Sequence, residues 1–213
     1  MLDNMNMQNR LNLKNKLNIR MNLKHKNFIV GVIVSAVIVM GSTLTFADDF
    51  GSQGALSNTN ELSLNDMLNY AIQDEYAALA EYELIMEEFN ITRPFSNIAR
   101  AEEMHISWLV PLFDKYSFDI PVNNAEESVI LPDSLLDAYN TGVEAEILNI
   151  SMYEKFLENP LPTDVANVFD ALMNASVNHL ASFERQIDRE TTTNRTFSSR
   201  NNNMTLRGRT LSR

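Results

Sequence analysis

Residues 96–113 read SNIARAEEMHISWLVPLF. With Phe95 in front, they carry a stripe of 3.5–3.6 period: Phe95, Ile98, Glu102, His105, Leu109, Leu112 and Tyr116. The stripe is that of a helix facing a core, yet its centre is polar. A carboxylate at a core-facing position costs several kcal/mol unless it is paired or binds a cation. Glu102 and His105 are three apart, so on a helix both side chains point the same way. Their partners must come from other elements facing the same core. Pro111 lies inside the pattern and predicts a kink.

Three further helices carry matching stripes. One starts at Ser63, an N-cap with Asp66 three residues on, and runs through Leu64, Leu68, Ala71, Glu75, Ala78, Tyr82, Ile85 and Phe89 to near Asn90. Another starts around Pro132-Asp133 and carries Leu135, Tyr139, Val143, Glu146, Ile150, Tyr153 and Leu157. The last starts after Pro162, capped by Thr163 or Asp164, and carries Val165, Phe169, Leu172, Ser176, His179, Phe183 and Gln186. No strand-like alternation persists. The first and second helices, and the third and fourth, are joined by about five residues each, which predicts two antiparallel hairpins. Residues 117–131, with Pro121, can reach on the order of 50 Å, against about 33 Å for a 22-residue helix. A full-length crossover is therefore open to them. The expected fold is all-α: a four-helix bundle of two antiparallel helical hairpins joined by a long crossover.

The hairpins also look like a degenerate repeat. Glu75 and Tyr82 are seven apart, as are Glu146 and Tyr153. Glu102-x-x-His105 is matched by Ser176-x-x-His179. Three carboxylates thus converge on one level with two imidazoles. A bound metal is the least costly way to tolerate that cluster. A two-fold arrangement of Glu, then Glu-x-x-His, is the ligand scheme of a dinuclear carboxylate site in a bundle. The competing reading is a vestigial bundle whose histidines hydrogen-bond buried glutamates. Glu144 lies off the Val143/Ile147/Ile150 face, so Glu146 is the better candidate on its helix. Tyr82 and Tyr153 read as core tyrosines with an outward hydroxyl. Trp108 reads as packing. Asp74, Glu103, Glu87 and Glu88 read as a solvated face.

The strings DEYAALAEYELI (74–85), SNIARAEEMHISWLVPLF (96–113) and NASVNHLASFER (174–185) resemble the ferritin-like, rubrerythrin-like superfamily. Within it they resemble the secreted prokaryotic family catalogued as domain of unknown function 2202. The resemblance covers about residues 62–187. It implies carboxylate ligands at Glu75, Glu102 and Glu146 and imidazole ligands at His105 and His179. The chain departs from it at Ser176, where the wider superfamily has a glutamate. It departs again at Asn149, where rubrerythrin-like proteins often carry another carboxylate. With five of six expected ligands, the resemblance implies a single metal or an asymmetric pair completed by water.

Charge divides the chain of 213 residues further. The formal net charge of −11 hides a body, 48–190, of 27 acids against six bases, a net of −21. Residues 1–27 hold six bases and one acid; the apolar run FIVGVIVSAVIVM (28–40) follows, and then GSTLTFA. This reads as a signal peptide, 1–47, cleaved after Ala47, or as an N-terminal anchor engaging the export machinery or the membrane. Either places the rest outside the cytoplasm, secreted or held at the outer face of the membrane. Residues 48–61 then read as a linker, 62–190 as the bundle, and 191–213, with five arginines and no acid, as a disordered basic tail suited to an anionic cell-surface polymer. The acidic body argues against nucleic acid as a partner. The absence of cysteine excludes disulfides, thiolate metal sites and a cysteine nucleophile.

Carboxylate and imidazole ligands without thiolate suit iron or manganese, in a dinuclear or mononuclear site. The expected function is an exported metal-binding bundle acting, if it is an enzyme, as a di-metal carboxylate oxidoreductase on oxygen, peroxide or ferrous iron. The alternative is a non-catalytic secreted bundle that binds a metal or a surface partner through a degenerate site.

Overall fold

The computed structural model describes residues 50–209, with side chains as far as 193 except at 128. The N-terminal stretch read as an export segment or anchor lies outside the described residues, as do the side chains of most of the arginine-rich tail. Among the described residues no helix is long and apolar enough to cross a membrane.

The described residues form five α-helices, one 3-10 turn and no strand. They are α1 (Gly51–Ser57), α2 (Leu64–Glu88), α3 (Phe95–Tyr116), α4 (Leu135–Leu157) and α5 (Thr163–Arg209), with the 3-10 turn at Ala125–Ser128 between α3 and α4. The start of α2 is a capping box. Asp66 N–H donates to Ser63 Oγ, and Ser63 N–H donates back to Asp66 Oδ2. Ser134 caps α4 by accepting from Asp137 N–H, one residue beyond the Pro132-Asp133 pair expected to start it. Pro111 sits within α3 without ending it.

Core membership shows how the long helices run. Phe95 and Ile98 from the start of α3 cluster with Ala138 and Tyr139 from the start of α4. Tyr82 and Ile85 from the end of α2, and Phe183 from well along α5, join the same cluster. The starts of α3 and α4 therefore share one end, so the 117–134 connection runs the length of both helices. At the other end Tyr116 Oη and Lys115 Nζ of α3 donate to Asp164 at the start of α5, at 2.8 and 2.7 Å. The pairs α2–α3 and α4–α5 pack along each other as short-turn hairpins. Gly142 of α4 makes room for Phe183 of α5: a Cβ there would lie 2.7 Å from the Phe183 ring.

Two features differ from the sequence reading. Residues 51–57, inside the expected linker, form α1, which packs on α2 and α4. Its residues Gly51, Ser52, Gly54 and Ala55 are small enough to bury, but give no amphipathic stripe to read. Both of its ends are held. Ser52 N–H donates to Asp74 Oδ1 (2.7 Å), and Lys155 Nζ donates to the carbonyls of Ala55 and Asn58 (2.7 and 2.8 Å). These charges match the helix dipole at each end. Gly51 has φ +54, and a Cβ there would sit 2.7 Å from Asp74 Oδ1. Second, α5 continues past residue 190 into the stretch with a tail-like composition. Thr191 and Thr193 donate their hydroxyls to carbonyls one turn back, which suits them to a helix surface.

A candidate metal centre

Glu75 of α2, Glu102 and His105 of α3, Glu146 of α4, and His179 of α5 converge at mid-height, all buried. Each stands on the stripe that carries its helix's core residues, so the packing of four helices brings them together. They form two groups able to hold a metal ion: Glu75, Glu102 and His105, and Glu102, Glu146 and His179. Glu102 belongs to both, and its two oxygens divide between them. Oε2 lies 2.7 Å from His105 Nδ1, and Oε1 lies 3.1 Å from His179 Nδ1. Glu75 Oε2 is 2.9 Å from His105 Nδ1, and Glu146 Oε1 is 3.3 Å from His179 Nδ1. The imidazole rings stack with centroids 5.8 Å apart.

The two histidines differ. His105 Nδ1 hydrogen-bonds to carboxylates on both sides. His179 Nδ1 is buried between two carboxylate oxygens, but neither contact has hydrogen-bond geometry, so the atom has no hydrogen-bond partner. A buried nitrogen without a well-aligned hydrogen bond is costly, and the two carboxylates compensate it by charge alone.

The tyrosines correct the sequence reading. Their hydroxyls point inward and hold the carboxylates crosswise. Tyr82 of α2 donates to Glu146 Oε1 (3.0 Å), and Tyr153 of α4 donates to Glu75 Oε1 (2.7 Å). This leaves Glu75 Oε2 turned to His105. Asp74 is likewise not on a solvated face. Ser176 Oγ donates to Asn149 Oδ1 (2.7 Å), Asn149 Nδ2 donates to Asp74 Oδ2, and Asp74 Oδ1 accepts from Ser52 N–H of α1. The serine and asparagine that replace expected carboxylates are thus tied to each other and to a carboxylate one residue before Glu75. The pairing was not readable in advance, because a position next to a stripe points inward only where a neighbour such as α1 covers it.

Electrostatics follow from this burial. Burial works against charge on His105, but Glu102 and Glu75 hold its pKa up at about 9. Burial likewise opposes charge on His179, but Glu102 and Glu146 hold it at about 10. Burial and the neighbouring Glu102 push Glu75 up to about 7. Burial raises Glu146 too. Burial also acts to raise Glu102, but the two imidazoles outweigh it and bring its carboxyl below the usual range. Without an ion, the cluster is therefore three carboxyl groups bridged by two imidazolium groups, with Glu75 and Glu146 held back from full ionisation by burial. An ion replacing those protons would meet carboxylate oxygen and imidazole nitrogen donors.

The model of the family described as "Uncharacterized protein domain (DUF2202)" matches residues 65–206. The chain belongs to this family. All five residues of the cluster, both tyrosines, Asn149 and Ser176 lie within the matched part of this DUF2202 protein. "Uncharacterized protein MJ0754" of Methanocaldococcus jannaschii is 28% identical over 109 residues. That match covers 44% of this chain and 59% of the relative, less than two thirds of the relative's length. The crystal structure of hypothetical protein MJ0754 from Methanococcus jannaschii DSM 2661 superposes with a TM-score of 0.55 at 24% identity. It covers 63% of this chain and 86% of that one, and the likeness is one of fold.

Proposed function

We propose that this DUF2202 chain is an exported, ferritin-like four-helix bundle that binds iron or manganese through Glu75, Glu102, His105, Glu146 and His179. In this reading it is a metal-dependent oxidoreductase acting on oxygen, peroxide or ferrous iron. The observation that carries it is Glu102, which turns one oxygen to each of two buried histidines. A carboxylate placed so is built to join two ion positions. His179 Nδ1, set between Glu102 and Glu146 at ion-pair distance without hydrogen-bond geometry, supports the same reading. The bound ion supplies redox cycling between divalent and trivalent states. The chain's residues do the rest. Tyr153 and Tyr82 fix the Glu75 and Glu146 carboxylates, the histidines close the two ends, and burial of all five keeps bulk water off them.

Elemental analysis of the purified protein after exposure to iron and to manganese tests this. Near-stoichiometric metal is expected, reduced by His105→Ala and by His179→Ala. Protein that stays metal-free, with the variants no different, rejects it. Ser176 favours a second reading, a bundle that holds metal without turnover, because its hydroxyl is turned to Asn149 and leaves the sixth ligand position without a carboxylate. Oxygen- or peroxide-dependent turnover lost in Glu102→Ala decides for the enzyme. Full metal content without turnover decides for the binder.

A further inference from the structure

The five ligand candidates are at most 8% exposed, so a bulky reagent in solvent does not reach the ion position they surround. One side chain bridges the gap. Trp108, the single tryptophan of the chain, stands on α3 three residues after His105 and is 39% exposed. Its ring centroid is 5.5 Å from that of the His105 imidazole, at an interplanar angle of 41°. His105 in turn stacks on His179 at 5.8 Å. Three aromatic rings in succession therefore run from the surface to both halves of the cluster. Packing alone accounts poorly for this placement. A tryptophan stabilises a core by burying its large apolar ring, and this one leaves over a third of its surface in water. One turn before it, Met104 is 48% exposed, so apolar surface is open on this face of α3.

We propose that Trp108 is the electron port of the site, through which a soluble one-electron donor reduces the ion held beside His105. This rests on the metal-binding reading above and adds the point of entry and the class of reductant. Transfer of a hydride or an oxygen atom needs the donor in contact with the acceptor, and a donor larger than oxygen or peroxide is kept from that contact by the burial of the ligands. An electron can cross from ring to ring. The donor loses one electron and a trivalent ion becomes divalent, with no bond made or broken. The strongly acidic body favours a cationic donor by long-range attraction.

The test uses the full chain loaded with iron, oxidised to the ferric form and freed of unbound iron. Iron content is measured first. The protein is then mixed anaerobically with hexaammineruthenium(II), and the loss of ferric absorption is followed in a stopped-flow instrument. Trp108→Leu is expected to slow reduction severalfold at unchanged iron content and ferric spectrum, while Trp108→Phe, which keeps a ring, stays close to the unaltered protein. Equal rates in all three iron-loaded proteins overturn the proposal and leave the metal reading standing. Protein that stays free of iron overturns the port, and if it takes up no manganese either, the metal reading falls as well. A measurement without variants stands beside these: iron loading is expected to quench most of the Trp108 emission. Unchanged emission at full loading also overturns the proposal.

Discussion

Metal binding should expel protons, and the count follows from the geometry. Both Nδ1 atoms face carboxylates, which hold His105 protonated up to about 9 and His179 up to about 10. An ion needs both lone pairs, so both protons must leave. At pH 7, removing them opposes binding by on the order of 3 kcal/mol at His105 and 4 kcal/mol at His179, at about 1.36 kcal/mol per pH unit below each pKa. The raised pKa values set the sign: affinity rises with pH and levels off only above about 9–10. From pH 6 to 8 the apparent constant for filling both groups should gain about two powers of ten per pH unit. Below about pH 7, Glu75 contributes part of a third proton, since its carboxyl is pushed up to about 7. Titration calorimetry at pH 8 in two buffers of different ionisation enthalpy gives the number directly. About two protons released for the filled site is the expected result. No release, with affinity flat from pH 6 to 8, refutes the imidazolium-bridged cluster and the histidines as ligands together.

Four further outcomes can be checked. Tyr153→Phe removes the hydroxyl 2.7 Å from Glu75 and should weaken metal binding about tenfold, with the helical content unchanged by circular dichroism. Glu81→Gln should raise the melting temperature of metal-free protein at pH 8 and leave it unaltered near pH 4. Burial, then the charges of Glu146 and Asp74, raise Glu81 to about 7, so the native protein loses stability as pH climbs from about 4.5 through 7. The ceiling is about 3 kcal/mol, and partial exposure brings it to about 1–2 kcal/mol. Gly142→Ala should destabilise by about 1–2 kcal/mol in urea unfolding, because the new Cβ meets the buried Phe183 ring at 2.7 Å and overpacking outweighs the helix-propensity gain of about 1 kcal/mol. Ser176→Glu should lower the melting temperature of metal-free protein and raise the number of ions bound; fewer ions by elemental analysis would speak against a lost sixth ligand.

The long helices and the five converging residues were legible because each rests on a periodic signal. Glu75, Glu102 and Glu146 break apolar stripes where a polar residue is costly, and a breach of the pattern on three helices at one level is hard to produce by chance. The capping box of Ser63 and Asp66 is a local rule, obeyed locally. What escaped the reading depends on a neighbour. The inward hydroxyls of Tyr82 and Tyr153 are set by which carboxylate the facing helix presents, 64 and 78 residues away. Asp74 reads as solvated because the amphipathic pattern of α2 cannot register α1. That seven-residue helix has no stripe of its own and is held by one acid, one lysine and small side chains. Trp108 sits at a stripe's edge, where periodicity does not distinguish a half-buried ring from a buried one.

Ser176, at the position where the resemblance expects a carboxylate, sets the charge of the cluster in each state. Even with all three carboxyls ionised, the two imidazolium groups leave no more than one net negative charge. A fourth carboxylate would leave two in the same buried volume, at a substantial cost in low dielectric. Serine tied to Asn149 therefore lets the helices pack before any ion arrives. Loading then separates the two stoichiometries. One divalent ion among three carboxylates and two neutral imidazoles leaves one negative charge, whereas two divalent ions leave one positive charge. Only the two-ion state needs an anion from solution to become neutral, at the place where Ser176 has withdrawn. A site that binds its second ion more tightly as small anions are added would show that the serine opened a ligand position; indifference to anions would show that it closed one.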